Sequence, residues 1–257
     1  METLPNEIQP QEAISKPPIK RKRRRAVKAS STKVPQKVYK RIKKGVRHYA
    51  QVIKRAEQEQ VNESDTSNIV NDMLSDFWGF DKFFDVTTEY KIRGQYADYG
   101  VKLNNKIVFF IEVKAINVRL NDNHIFQVTS YAANEGVEWV VLTNGRIWRL
   151  YHLGFGRPIE RELVMEFDVL DGTEKPNEKI EKMVCLSKES FKKKIPFQLW
   201  NKRVALSLPN IQEILLSESF LRKLRTELRK KTGYLASEKD LEKLLGQAFK
   251  SQLKKKD

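Results

Sequence analysis

With 257 residues and 40% hydrophobic content, the chain is long enough to bury one large core or two modest ones. Its single cysteine, Cys185, excludes an internal disulfide, and with no long apolar run and no hydrophobic signal core, no membrane association is expected. A soluble, cytoplasmic protein is expected, nuclear only in a host that has a nucleus. The net charge of +16 is unevenly spread: residues 1–60 carry +12, residues 61–170 carry −5 and residues 171–257 carry +9. An acidic centre collects cations and basic flanks collect phosphates, so nucleic acid is the expected partner, although solubility alone would also account for basic flanks.

Residues 1–36 are rich in proline and poor in apolar side chains, and they contain the block Lys20, Arg21, Lys22, Arg23, Arg24 and Arg25. Such a tract is expected to be a disordered basic arm that holds phosphates without sequence preference or serves as a nuclear localisation signal. Residues 37–60 read as a basic helix, with Val38, Ile42, Val46, Tyr49, Ile53 and Ala56 at helical spacing and Lys and Arg on the other face. A second helix spans about 65–78, its stripe running from Ile69 to Trp78, with Gly79 as its stop. Glu63 lies seven residues before Val70 and so falls on the core side of a continuous helix; it is equally a favourable charge at a helix start. A first strand over 85–93 follows, with Glu89 as an outlying carboxylate.

Tyr96–Leu103 and Ile107–Val113 read as a hairpin, the second strand apolar enough to be buried on both faces until it ends in Glu112-Val113-Lys114. Residues alternate faces along a strand, so Glu112 and Lys114 point the same way, about 6.6 Å apart at a rise of about 3.3 Å per residue. A two-residue turn at Asn104-Asn105 would pair Asp98 with Ile111 and separate the two carboxylates. A three-residue loop, or a bulge near Gly100, would set Asp98 across from Glu112, and one of these two is expected. Asp98, Glu112 and Lys114 together suit a hard divalent cation, Mg²⁺ or Mn²⁺, acting on a phosphodiester. The carboxylates would hold the ion and the ammonium would stabilise charge on the phosphorane. Taken alone, Glu112 and Lys114 are also what a structural ion pair at a strand end looks like.

Beyond this hairpin, Asn123–Asn134 is expected to be a helix with His124, Gln127 and Tyr131 near one face, His124 being a cap-region side chain. Trp139–Thr143 and Arg146–Tyr151 form a hairpin about Asn144-Gly145, and Glu160–Leu170 reads as an edge strand. From residue 171 the text becomes helical and basic. Ile211 to Leu228 give one apolar stripe, with Arg222, Arg225 and Arg229 opposite it, ended by Gly233. Ser237–Asp240 opens a last helix as a capping box. This part either grips a duplex or docks a partner.

Asp98 followed by Glu112-Val113-Lys114 after an apolar strand resembles the PD-(D/E)xK nuclease motif. Gln127-Val-Thr-Ser-Tyr131, with Asn62–Thr66, Glu89–Arg93, Gly136–Trp139 and Leu142–Gly145, resembles the nuclease domain at the N-terminus of type I restriction enzyme motor (R) subunits over about Val61–Leu170. The resemblance implies an α/β fold with a PD-(D/E)xK restriction-endonuclease-like core of αβββαβ order, a mixed sheet flanked by helices. The arm and a helical C-terminal subdomain would lie outside it, dividing the chain at 36, 60 and 170. It implies a Mg²⁺-dependent endonuclease acting on DNA, with Asp98 and Glu112 as metal ligands and Lys114 as transition-state stabiliser. Gln127 would assist, Tyr131 would contact the substrate backbone, and Glu63 would add an outer metal contact. Ala97 replaces the proline of the motif name. No Gly-Lys-Ser/Thr phosphate loop occurs in the chain, so a motor or specificity subunit would work in trans. A catalytically inactive nucleic-acid-binding or complex-forming module on the same fold is the competing reading. DNA versus RNA, recognition sequence, the number of metals and oligomeric state stay open.

Overall fold

A computed structural model of the protein describes residues 34–92, 95–156 and 158–253. The expected arm, with Lys20–Arg25, lies outside them. Helix α1 (Gln36–Glu59) forms because Val38, Ile42, Gly45, Tyr49, Ile53 and Ala56 recur every three or four residues and are buried on one side. It stops at Gln60, which adopts a left-handed φ of 51°. Helix α2 (Glu63–Asp76) starts at once, its N-cap Asn62 accepting the Asp65 N–H at 2.9 Å. The two helices approach closely at Gly45, where a Cβ would lie 2.2 Å from Phe77 Cδ2.

Six strands follow: β1 (Val86–Ile92), β2 (Gln95–Leu103), β3 (Lys106–Val113), β4 (Trp139–Thr143), β5 (Ile147–Gly154) and β6 (Glu160–Asp168). They form one mixed sheet in the order β1-β2-β3-β4-β5-β6, antiparallel throughout except for β3 and β4. That parallel pair needs a crossover, and α3 (Phe126–Asn134) supplies it. One face of the sheet packs on a core shared with α1, α2 and α4 (Pro176–Cys185), in which Trp78 and Trp148 rings lie 4.3 Å apart. The other face packs on α3 through Phe110, Val128, Tyr131, Val140 and Leu142. Covered on both sides, β3 and β4 bear the continuous apolar runs that their sequences show.

After α4 come α5 (Lys188–Lys192), α6 (Ile195–Ala205), α7 (Leu208–Leu215), α8 (Glu218–Thr232) and α9 (Glu238–Leu253). The stripe expected to run unbroken from Ile211 to Leu228 is divided between α7 and α8. Ser217 is extended (ψ 144°) and its hydroxyl donates to the Ile214 carbonyl at 2.7 Å, ending one helix at the start of the next. The same Leu-Ser step precedes α5 and α7, where Ser187 and Ser207 accept the Ser190 and Asn210 N–H groups. No helix among the described residues is long and apolar enough to cross a membrane.

Candidate metal and phosphodiester site

The hairpin of β2 and β3 turns in two residues, because Asn104 and Asn105 both take positive φ (51° and 60°), the geometry of a tight hairpin turn. Left regular, that turn would put Asp98 across from Ile111. Instead Lys102 pairs with Ile107 and Val101 with Phe109, leaving Val108 as an extra residue in β3. The pairing beyond the bulge, Tyr99 with Ile111, sets Asp98 across from Glu112. Of the two arrangements expected, the structure has the bulge.

A second irregularity sits beside it. Residues two apart in a regular strand share a face, yet Ala97 lies in the α3-side core and Tyr99 in the opposite one. The pleat breaks at Asp98 and at Glu89, its neighbour across β1, whose φ is +47°. Asp98 then turns toward the end of β3 and accepts the Val113 N–H at 2.7 Å. Sequence reasoning gave Glu89 only an outlying place; the parity of the two strands and this backbone kink bring it opposite Asp98.

Glu112 is 7% exposed, and Lys114 Nζ donates to its Oε1 at 2.7 Å. The same ammonium lies 3.5 Å from Glu63 Oε1, at the first residue of α2, so the half-exposed Glu63 does reach the site. Lys114 is fixed from behind. Its N–H donates to the Thr143 carbonyl at 2.8 Å, and the connector beyond it is clamped from two sides. Thr66 Oγ1 accepts the Ile116 N–H at 3.0 Å while donating to the Asn62 carbonyl at 2.8 Å, and Asn144 Nδ2 donates to the carbonyls of Ile116 and Val118, each at 3.0 Å. Both clamp residues lie within segments on which the sequence resemblance was drawn, but neither carries a signal that distinguishes a clamp from a helix cap or a turn residue.

Burial, then the Asp98 charge, pushes the Glu112 carboxyl up to about 7 against the lowering effect of Lys114. Burial also raises Asp98, opposed by the Val113 N–H and Lys114 and reinforced by Glu63 and Glu89. For Lys114, burial acts to lower the ammonium, but the bond to Glu112 and the surrounding carboxylates outweigh it and raise it.

Two carboxylates whose ionisation is held back by burial and by neighbouring carboxylates are relieved by a cation, and oxygen donors suit a hard one. Among the described residues no three His, Cys, Asp or Glu side chains are grouped to hold a metal ion. The donor set fits Mg²⁺, which is commonly held by one or two carboxylates and completes its shell with water and substrate phosphate.

The remaining expectations fare differently. Gln127 is the second residue of α3, and its side chain lies outside those described. Tyr131 is 1% exposed, packed between α3 and the sheet with its hydroxyl buried and unbonded, which corrects its expected contact with substrate: a ring facing inward from α3 cannot stack on a nucleic acid. His124 accepts the Asn121 N–H at 3.3 Å, as a loop-end side chain. Arg222 pairs with Glu218 and lies 3.9 Å from Glu238, and Arg225 lies 3.7 Å from Glu238, so both expected nucleic-acid ligands also meet carboxylates of α8 and α9; Arg229 is exposed.

Neither the curated proteins nor the solved structures contain a match to the chain. The family described as type I restriction enzyme R protein N terminus matches residues 5–156, which take in α1, α2, α3, all of β1–β5 and every residue of the site.

Proposed function

Because the chain belongs to the family of type I restriction enzyme R protein N-terminal domains, we propose that it is a metal-dependent nuclease that hydrolyses phosphodiester bonds of DNA. The observation that carries this reading is the meeting of Asp98, Glu112 and Lys114 where β2 and β3 converge, brought about by a bulge and a pleat break that a purely structural ion pair would not need. Asp98 and Glu112 would hold Mg²⁺ or Mn²⁺, with Glu63 close enough to take part through an intervening water. The bound ion would supply Lewis-acid polarisation of the scissile phosphate.

The chain's own groups account for the rest. Lys114 carries its charge throughout the neutral range and presents it beside Glu112, where it can donate to an attacking water or to a phosphate oxygen as negative charge grows there. Glu112, fixed beside Lys114, can accept a hydrogen bond from that water and hold its orientation. The clamp of Thr66 and Asn144 keeps Lys114 from drifting when substrate displaces its contact with Glu112 or Glu63.

The test is incubation of plasmid DNA with the protein and with Glu112→Ala, in Mg²⁺, Mn²⁺ or EDTA. Metal-dependent nicking by the wild type that vanishes in the variant is the expected result. If neither cuts while both retard DNA equally, the fold serves as a nucleic-acid-binding module instead.

A further inference from the structure

We infer that the solvent face of α1 is the track on which the protein grips the phosphate backbone of a duplex, leading to the site at its C-terminal end. This rests on the nuclease reading for its choice of DNA, and on α1 for everything else.

The helix has 24 residues, about 36 Å at a rise of about 1.5 Å per residue, comparable with one turn of a B-form duplex. Its buried residues all lie on one side, and on the other stand Lys40, Lys43, Lys44, Arg47 and Lys54, all exposed. Advancing 100° per residue, these five fall within about a third of a turn, opposite the buried stripe. The ion pairs of α1 are Arg41 with Glu189, Arg55 with Glu59 and Glu57 with Arg146. Among the described residues none of the five has an ion-pair partner, and α1 has no acidic residue before Glu57.

A row of unneutralised cations along a rigid rod costs self-repulsion, which a polyanion lying along it removes. The five charges lie along about 21 Å of helix, and a duplex presents a phosphate every 3.4 Å or so along each strand. A lipid surface fits less well, because the apolar face that would enter a bilayer is already spent on the core: Val38, Ile42 and Ile53 are fully buried.

The track also points at the chemistry. Three residues, Gln60 to Asn62, separate the end of α1 from Glu63, and the Glu57 carbonyl accepts a bond from Asn117 Nδ2 at 3.3 Å, three residues past Lys114. A backbone lying along α1 therefore arrives at Glu63, Lys114 and Glu112. By contrast, Arg222 and Arg225 are already paired with carboxylates of α8 and α9.

The experiment is fluorescence anisotropy of the full chain on a labelled 30-base-pair duplex in EDTA, titrated with salt, for the wild type, for K40Q/K43Q/K44Q/R47Q and for R222Q/R225Q. Removing four phosphate contacts should flatten the log affinity against log salt by about 3 to 4 units of slope and weaken binding at least a hundredfold at low salt. The C-terminal pair should change the slope by less than one. The charge-preserving K40R/K43R/K44R should bind as wild type, which separates lost charge from a damaged helix. An unchanged slope in the quadruple variant overturns the proposal, as does an equal loss in the C-terminal variant. So does a quadruple variant that loses binding to anionic vesicles or polyglutamate while keeping the duplex. Because EDTA removes metal-dependent cleavage, these outcomes are independent of whether the protein cuts.

Discussion

Asp98 and Glu112 stand across from one another because Val108 is surplus to its strand. The two-residue turn at Asn104-Asn105 by itself fixes the opposite parity, so one inserted residue decides whether two carboxylates share a site or face away from each other.

The raised Glu112 carboxyl makes stability depend on pH. In the unfolded chain it has the ordinary glutamate value of 4.5, and in the fold it titrates near 7, so between these the folded state holds the proton more tightly. The sign is that of stability lost as pH rises through that window. For the metal-free protein, Tm should fall from pH 5 to pH 7.5, and in Glu112→Gln that part of the fall should disappear. At pH 8, added Mg²⁺ should raise Tm in the wild type and leave Glu112→Gln unmoved; a calorimetric scan over pH checks both.

Removing the ammonium tests the same balance from the other side. In Lys114→Met, Glu112 and Glu63 lose their shared counter-charge. The variant should cleave at least a hundredfold more slowly than wild type. Its deficit in Tm should be larger at pH 8, where the wild type gains from pairing ionised Glu112 with Lys114, than at pH 5.5, where Glu112 holds its proton in the fold.

Tyr131 offers a test in which nothing should be lost. Its hydroxyl is buried without a hydrogen-bond partner, so Tyr131→Phe removes an uncompensated polar group. Denaturant unfolding should show stability unchanged or raised by about 1 kcal/mol, with cleavage at the wild-type rate. A hundredfold loss of cleavage would return the side chain to the substrate.

Gly45→Ala reverses the usual helix rule. In an exposed helix interior the change stabilises by about 0.5–1 kcal/mol. Here the new Cβ would sit 2.2 Å from the Phe77 ring, which is fully buried and flanked by Tyr49 and Trp78. Chemical denaturation should show a loss of about 1–3 kcal/mol, the usual cost of overpacking.

Much of this protein was decided locally and could be read from the chain. Apolar residues at spacings of three and four place α1 and α2, and the unbroken apolar runs of β3 and β4 mark strands covered on both faces, because periodicity and burial are two expressions of one requirement. The spacing of Glu112 and Lys114 likewise follows from the alternation of a strand, and their pairing at 2.7 Å agrees with it. What needed the tertiary structure was every choice between locally equivalent outcomes. A bulge or a three-residue loop satisfies the same hairpin sequence. A polar Tyr131 on a helix faces inward or outward according to which side the sheet covers, and Arg222 and Arg225 are free or neutralised according to where Glu238 of α9 comes to rest. The charges of α1 are set by its sequence; that Lys40, Lys43, Lys44, Arg47 and Lys54 have no ion-pair partner among the described residues, while Arg41 and Glu57 find theirs on distant segments, is a consequence of packing, since pairing depends on which segments arrive and no local pattern encodes that.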